Sequence, residues 1–437
     1  MTTSTTETNY PLENADKQVQ GDVKLLQKGI NLIIKSKRIY KTTEGRLSVC
    51  RKGCFWLKTF IISTTIALLC VVPGLLGLYS PVIGGFTTSP WIWGTICVVI
   101  ALTEFVFFWV GIILVYLTSQ QLGVKWRGLG IILSLIPIVN LVMFFIILHI
   151  ATREIKEETA KLKLNAERKD QQICKTKYPL LLVHGVFFRD NKLFNYWGRI
   201  PEELIRNGAT IFYGNQDSSS SVMDSGQKIA KCIKDIIAQT GCEKVNIIAH
   251  SKGGLDSRAA ITCQGMAPYV ASLTTISTPH RGCIFADYLI HELSDEEKNT
   301  LAEYCNSAAT AFGDDKADFL TAVGDLTSSK CAVFNENVKD SPDVFYQSFG
   351  SILNKSSNAQ LPFNWTHAFV KNFDGPNDGL VGSKSFVWGE RFEMLTVRGS
   401  RGISHVDVID LSRENIPDFD VREFYVGLVA DLKKRGF

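Results

Sequence analysis

Lys244-Val245-Asn246-Ile247-Ile248-Ala249-His250-Ser251-Lys252-Gly253-Gly254 is the stretch on which the fold turns. An apolar run with β-branched residues stops at a serine flanked by small residues, and a helical pattern, Leu255 to Gln264, follows. This is a strand–turn–helix setting, in which a serine is held on a sharp turn at the C-terminal end of a sheet. Backbone and helix come close at such a turn, so its neighbours must be small. Ala249 and Gly253 fill those two places. Alone, an Ala-x-Ser-x-Gly pentapeptide fits an ordinary loop serine equally well. The segments around His184 and from Asp378 to His405 decide between the two readings.

On either side of this stretch, short apolar runs at Leu180–Val183, Thr210–Tyr213, Val245–Ala249, Leu273–Ile276 and Val344–Phe349 read as strands. Helical patterns at Glu202–Asn207, Gly226–Thr240 and Leu255–Gln264 lie between them. The alternation predicts an α/β fold, a mostly parallel sheet with helices on both faces. Residues 178–437, about 260 in all, suit one such domain. From Cys283 to Asp343 helical pattern interrupts the alternation, and Ser294 with Glu297 makes a capping box there. This 283–343 insertion is read as a cap over the site. Ser218 to Ser221 reads as a short polar loop and nothing more.

A serine hydroxyl is a poor nucleophile until a base takes its proton, and the base needs an acid to hold its tautomer. On this architecture the three arrive in the order Ser, Asp or Glu, His. After Ser251 the only histidines are His280, His291, His367 and His405. His280 sits in a turn just after a strand and His291 in the helical insertion. His405 follows the strand-like Phe392–Val397, with Asp378 upstream in a Gly-Pro-Asn-Asp-Gly loop and Asp374 as the rival acid. An oxyanion hole is also required. His184-Gly185 directly follows a strand, which makes the backbone N–H groups of Val186 and Lys252 the expected donors.

Tyr178-Pro179-Leu180-Leu181-Leu182-Val183-His184-Gly185, Tyr196-Trp197, Asn207-Gly208-Ala209-Thr210, the Lys244–Gly254 stretch, Thr274-Thr275-Ile276-Ser277-Thr278-Pro279-His280-Arg281-Gly282 and Asn377-Asp378-Gly379-Leu380-Val381 form a set. In order and rough spacing, across most of 178–435, the set resembles the bacterial triacylglycerol lipases of the Pseudomonas/Burkholderia type. The resemblance implies an α/β-hydrolase fold, carboxylester hydrolysis and the triad Ser251, Asp378, His405. The chain departs from it in several places. Ala249 replaces the usual first glycine of the pentapeptide. Lys252 stands where that family usually has glutamine, which is expected to put a cation near the mouth of the site. Those lipases hold a structural calcium near the histidine loop; Asp407 is similar to one ligand, but Asn358 stands at the other, and no cofactor is expected. The family's disulfide cysteine is missing, with Lys384 in its region.

Mean hydropathy is +0.08 with 46% hydrophobic residues, and the apolar excess lies between about residues 55 and 150. Three segments there, Thr59–Tyr79, Trp91–Thr118 and Gly128–Ile150, each exceed the roughly 20 residues needed to cross hydrocarbon. The expected organisation is a polar and basic segment (1–54), a three-span membrane region (55–150), a charged helical linker (151–177) and the hydrolase domain (178–437). No cleavable signal peptide is expected. Val23–Tyr40 mixes apolar and basic residues, as a surface-lying helix or a solvated one. Glu104, inside the second span, is expected to be paired. Arg46, Arg51, Lys52 and Lys58 before the first span place the N-terminus in the cytoplasm, and three crossings then put the hydrolase domain outside. A net charge of +4 gives no reason to expect nucleic acid. The 11 cysteines, without Cys-x-x-Cys pairs, read as free or buried thiols.

Together these features read as a membrane-anchored serine hydrolase acting on a lipid or other ester. Two alternatives stay open. One is acyl transfer by the same triad, and the other is a non-catalytic membrane scaffold with a hydrolase-like binding domain.

Overall fold

The computed structural model describes residues 43–75, 90–133, 136, 139–186, 196–214, 216–217, 219–311, 317–358 and 363–437. The expected basic helix at 23–40, the end of the first apolar segment beyond Leu75 and Pro137 lie outside them. The chain divides into two compact units, Met1–Leu162 and Lys163–Phe437.

In the first unit, α1 (Thr43–Leu75) and α2 (Pro90–Thr118) pair closely. Glycines permit the approach: a Cβ on Gly111 would meet Leu57 Cδ2 at 2.7 Å, and one on Gly53 would meet Gly111 O at 3.0 Å. Glu104 accepts a hydrogen bond from Thr64 Oγ1 at 2.8 Å, so the carboxylate inside α2 has the partner it needs. Among the described residues two helices are long and apolar enough to cross a membrane, Thr43–Pro73 and Trp91–Thr118.

Among the described residues the third apolar segment is not one continuous helix. Gly128–Ile150 is divided between α3 (Gly123–Leu133) and the beginning of α4 (Val139–Arg168). Of residues 134–138 between them, Ile136 alone is described. The 11 residues of α3 rise only about 16 Å, well short of the ~30 Å of a hydrocarbon core.

The second unit is built on a sheet of six parallel strands, β1 (Leu180–Val183), β2 (Ile211–Tyr213), β3 (Val245–His250), β4 (Val270–Ile276), β5 (Phe345–Ser351) and β6 (Arg391–Leu395). Their order is β2-β1-β3-β4-β5-β6. β4 starts three residues before the expected run because Ser272 is satisfied inside the sheet, donating to Asn246 Oδ1 at 2.8 Å. Side chains alternate between the faces. Leu180, Leu182, Ile248 and Ile276 join a core with Trp197 and Tyr425, while Leu181, Val183, Ile247 and Leu273 join another with Ile229 and Ile233.

Helices cover both faces: α5 (Ile200–Arg206) and α13 (Val421–Lys434) on the first, α6 (Val222–Thr240) and α7 (Lys252–Thr262) on the second. Ser221, read above as plain loop, is the N-cap of α6 and accepts from Asp224 N; Gly241, at φ 69°, closes the other end. The insertion after β4 is helical as expected: α8 (Ile284–His291), α9 (Asp295–Ala311), α10 (Phe319–Gly324) and α11 (Ser328–Asn337). Ser294 and Glu297 form their capping box, with Glu297 Oε2 taking Ser294 N at 2.9 Å and Ser294 Oγ taking Glu297 N at 3.3 Å. One more helix, α12 (Phe363–Asp374), precedes the acid loop.

From β1 the chain steps outward to β2, then returns past β1 to β3. The connections diverge between β1 and β3, and in open α/β sheets ligands bind at the carboxyl ends of the strands beside such a switch point. Val183 is paired with Ala249, so the segments that leave these two strands, His184-Gly185 and Ser251-Lys252, emerge side by side.

Candidate active site

Ser251 closes β3 and opens α7 with φ 54° and ψ −132°, a backbone that L-residues rarely adopt. Three hydrogen bonds to its backbone hold it. Ser251 N donates to Ile276 O at 2.9 Å, its carbonyl accepts from Thr278 Oγ1 at 2.8 Å and Gly254 N at 3.0 Å, and the helix follows at once. Space is as tight as the motif requires. A Cβ on Gly253 would lie 2.4 Å from His184 O, and one on Gly185 would lie 2.7 Å from Ser251 Cβ. Both glycines are needed for contact between the turn and the segment after β1.

His405 and Asp378 are joined twice. His405 Nδ1 lies 2.7 Å from Asp378 Oδ2, and His405 N donates to Asp378 O at 2.7 Å. Asp378 is fully buried, and its other oxygen accepts from Leu380 N at 3.0 Å and Val381 N at 2.9 Å. Those two N–H groups hold the carboxylate in one orientation. Asp374, the rival, is at the end of α12, where burial raises its pKa and Asp287 adds to the effect; the acid bonded to His405 is Asp378.

The link between the histidine loop and the serine turn runs through His250. Its ring is 4.6 Å from that of His405, its Nε2 lies 3.0 Å from His405 O, and its Nδ1 lies 2.6 Å from Tyr196 OH. Tyr196 OH in turn accepts from Gly185 N at 2.9 Å, so its own proton points to His250 Nδ1, and His250 donates through Nε2. One chain of hydrogen bonds therefore ties the segment after β1, the serine turn and the His405 loop. Sequence reasoning did not single out Tyr196 or His250 for this; the signal available was a histidine inside the pentapeptide.

His280 and His367 have structural partners instead. His280 is buried, bonded to Thr275 Oγ1 and stacked on Trp388, and His367 bonds Leu353 O and Ser356 Oγ. Burial lowers the pKa of His250 and of His280 well below the ordinary 6.5, with the neighbouring His405 and Arg258 respectively adding to the effect. On acidification the unfolded chain takes up these protons and the folded one does not, so stability is lost as pH falls below the ordinary imidazole range. We expect the melting temperature to drop between about pH 7.5 and about pH 5.5, with a shallower drop in His280→Gln; equal slopes in the two proteins would refute the assignment.

Lys252 departs from expectation. Its amide, as the first of α7, has no carbonyl within the helix to bond, which suits an oxyanion donor. Its side chain, though, is not a cation at the mouth of the site. The ammonium is buried against Asp256 Oδ1 at 2.7 Å and Ser225 Oγ at 3.2 Å. Burial pushes the Asp256 carboxyl up to about 7 against the pull of Lys252. Asp256→Asn strands the ammonium and should cost about 3–5 kcal/mol in a denaturant titration, most of it recovered when Lys252→Gln is added. A double variant no more stable than Asp256→Asn alone would show that the pair is not the reason.

The donor set around Asp407 does not fit a calcium ion. The Asp407 carboxylate is bridged by Arg401, with NH1 at 2.9 Å, and accepts Ser404 N at 2.8 Å, so a guanidinium already neutralises it. Among the described residues no group of three His, Cys, Asp or Glu side chains is arranged to hold a metal.

A parallel sheet with a strained serine between strand and helix, a histidine–aspartate pair on the later loops and a helical insertion after β4 defines an α/β-hydrolase. No family model matches the sequence. The chain is 34% identical over 176 residues to a triacylglycerol lipase of Pseudarthrobacter phenanthrenivorans, 37% of this chain and 54% of that one. It is 30% identical over 275 residues to triacylglycerol lipase 2 of Saccharomyces cerevisiae, 57% of this chain and 78% of that one. Among solved structures, mature lipase BlEst2 of Bacillus licheniformis aligns over 58% of this chain and 92% of its own, at 21% identity and a TM-score of 0.44. The chain belongs to the triacylglycerol lipase family. It spans about half the length of the first two curated relatives, 54% and 48%.

Proposed function

We propose that this protein is a membrane-anchored serine carboxylester hydrolase of the lipase type. The observation that carries the reading is the buried Asp378 carboxylate, oriented by two backbone N–H groups and 2.7 Å from His405, on a loop bonded to the residue before Ser251. In this reading Ser251 Oγ attacks the ester carbonyl while His405 Nε2 takes its proton. Asp378 holds the Nδ1–H tautomer and stabilises the imidazolium. The N–H groups of Val186 and Lys252 receive the oxyanion. His405 then protonates the departing alkoxide, leaving an acyl-enzyme. Water attacks that ester with His405 as base, releasing the carboxylic acid and restoring Ser251.

The substrate class follows from two supports. The named relatives are triacylglycerol lipases, and α1 and α2 are apolar enough to hold the enzyme at a bilayer, which raises its local concentration around membrane-borne esters. Acylglycerols or related lipid esters are therefore the proposed substrates. A lipid-class panel (neutral glycerides, phospholipids, short-chain esters) with Ser251→Ala as control tests this. Release of free fatty acid from at least one class by wild type only is expected. Turnover of none of them, or equal turnover by the variant, would overturn the proposal. An added acceptor alcohol that captures the acyl group in place of water would reassign the enzyme to acyl transfer.

A further inference from the structure

We infer that the third apolar segment is a re-entrant hairpin, and that the chain leaves the bilayer on the face where it entered, so that the hydrolase domain is cytoplasmic. The inference rests on the reading of α1 and α2 as membrane crossings and reverses the side expected from three spans. Glu154 carries it. This residue lies beyond the third apolar segment, yet its buried carboxylate accepts from Ser119 Oγ at 2.6 Å, Gln120 N at 3.1 Å and Gln121 N at 3.2 Å, all of which lie before that segment. It also pairs with Arg46, upstream of the first crossing, whose guanidinium donates to Thr118 O at 2.7 Å. Arg51 reaches Thr159 Oγ1 at 3.3 Å, and Arg127 donates to Ser119 O at 2.6 Å.

The start of α1, the end of α2, the start of α3 and the middle of α4 therefore share one polar level. A full crossing between Gln121 and Glu154 would separate them by the ~30 Å of the hydrocarbon. From this level down to Val139 is about 22 Å of helix, which enters the apolar layer without traversing it. The packing agrees: Phe144 meets both Phe60 and Phe108 in the interior, and Gly130 lies between Tyr116 and Ile147. All four helices turn apolar side chains outward, among them Ile62 and Leu69 of α1, Leu102 and Phe105 of α2, Ile132 of α3 and Leu141 of α4.

Charge then assigns the side. Arg46, Arg51 and Lys52, then Lys125 and Arg127, then Arg153 and Lys156 all flank the polar level, while residues 76–89, between the two crossings, carry no charged side chain. The positive-inside rule places the charged level in the cytoplasm. Three spans would have put Arg153 and Lys156 on the other face, against the same rule. No segment between Glu154 and β1 is apolar enough to cross again. All 11 cysteines are free thiols, as a reducing compartment allows. The ester substrate would accordingly be met at the cytoplasmic leaflet.

The test uses the full chain in sealed vesicles with the cytoplasmic face outward and a membrane-impermeant maleimide, read by peptide mass spectrometry. Cys263, exposed at the end of α7, is expected to label without detergent. A cysteine introduced as Gly85→Cys, between the crossings, is expected to label only after detergent. Protection of Cys263 until detergent is added would overturn the hairpin, and labelling of the Gly85→Cys site without detergent would overturn the crossings. Neither readout depends on activity, so the topology and the chemistry fail separately.

Discussion

Ser251→Ala is expected to hydrolyse esters about 10⁶-fold more slowly than wild type and to take up no fluorophosphonate, with its thermal melt unchanged. The separation of the two effects comes from the turn itself. Everything that holds Ser251 in place is backbone: its N–H on Ile276 O, and its carbonyl on Thr278 Oγ1 and Gly254 N. Alanine keeps all of these, and keeps the Cβ already accommodated at φ 54°. What it loses is the hydroxyl proposed to form the acyl-enzyme. The measurement is kcat on a soluble short-chain ester alongside probe labelling and a melt. Labelling that survives the substitution would place the nucleophile elsewhere and leave the scaffold reading standing.

Asp378→Asn is expected to lower kcat by about 10⁴ with KM little changed, and the hydrogen bonds around Asp378 give the reason. Its Oδ1 accepts from Leu380 N and Val381 N at 3.0 and 2.9 Å, and its Oδ2 faces His405 Nδ1 at 2.7 Å. An asparagine must put its carbonyl toward the two backbone donors, which leaves its NH₂ facing the imidazole. His405 Nδ1 would then accept instead of donating, and the ring proton would move to Nε2, the atom proposed to receive the proton of Ser251. The base is present in the wrong tautomer. Asp374→Asn, on a carboxylate that does not bond His405, should stay within about threefold of wild type. Equal losses in the two variants would remove Asp378 from its role.

Much of the hydrolase fold was legible because parallel strands buried on both faces are written as continuous apolar runs, and those at Leu180, Ile247 and Ile276 could be read directly. The sharp turn was legible from its small neighbours, and the order of acid and histidine left few candidates. Less visible were features whose cause lies far away in the chain. Lys252 looked like a surface cation because its counter-charge, Asp256, is identified only once α7 forms and packs on Ser225. Ser221 was read as loop although it caps α6, since a cap and a turn use the same residue types.

The amino-acid sequence by itself determined the α/β sheet, the serine at its turn and the apolar character of three N-terminal segments, because each depends on local periodicity and local sterics. Only the tertiary structure decided which aspartate meets His405, how Tyr196 and His250 join the serine turn to the histidine loop, and where the third apolar segment ends. The last case shows the reason. Hydropathy measures whether a stretch prefers hydrocarbon, whereas the proposed turning back rests on a carboxylate at residue 154 bonding to an arginine at residue 46 and to amides at 120 and 121.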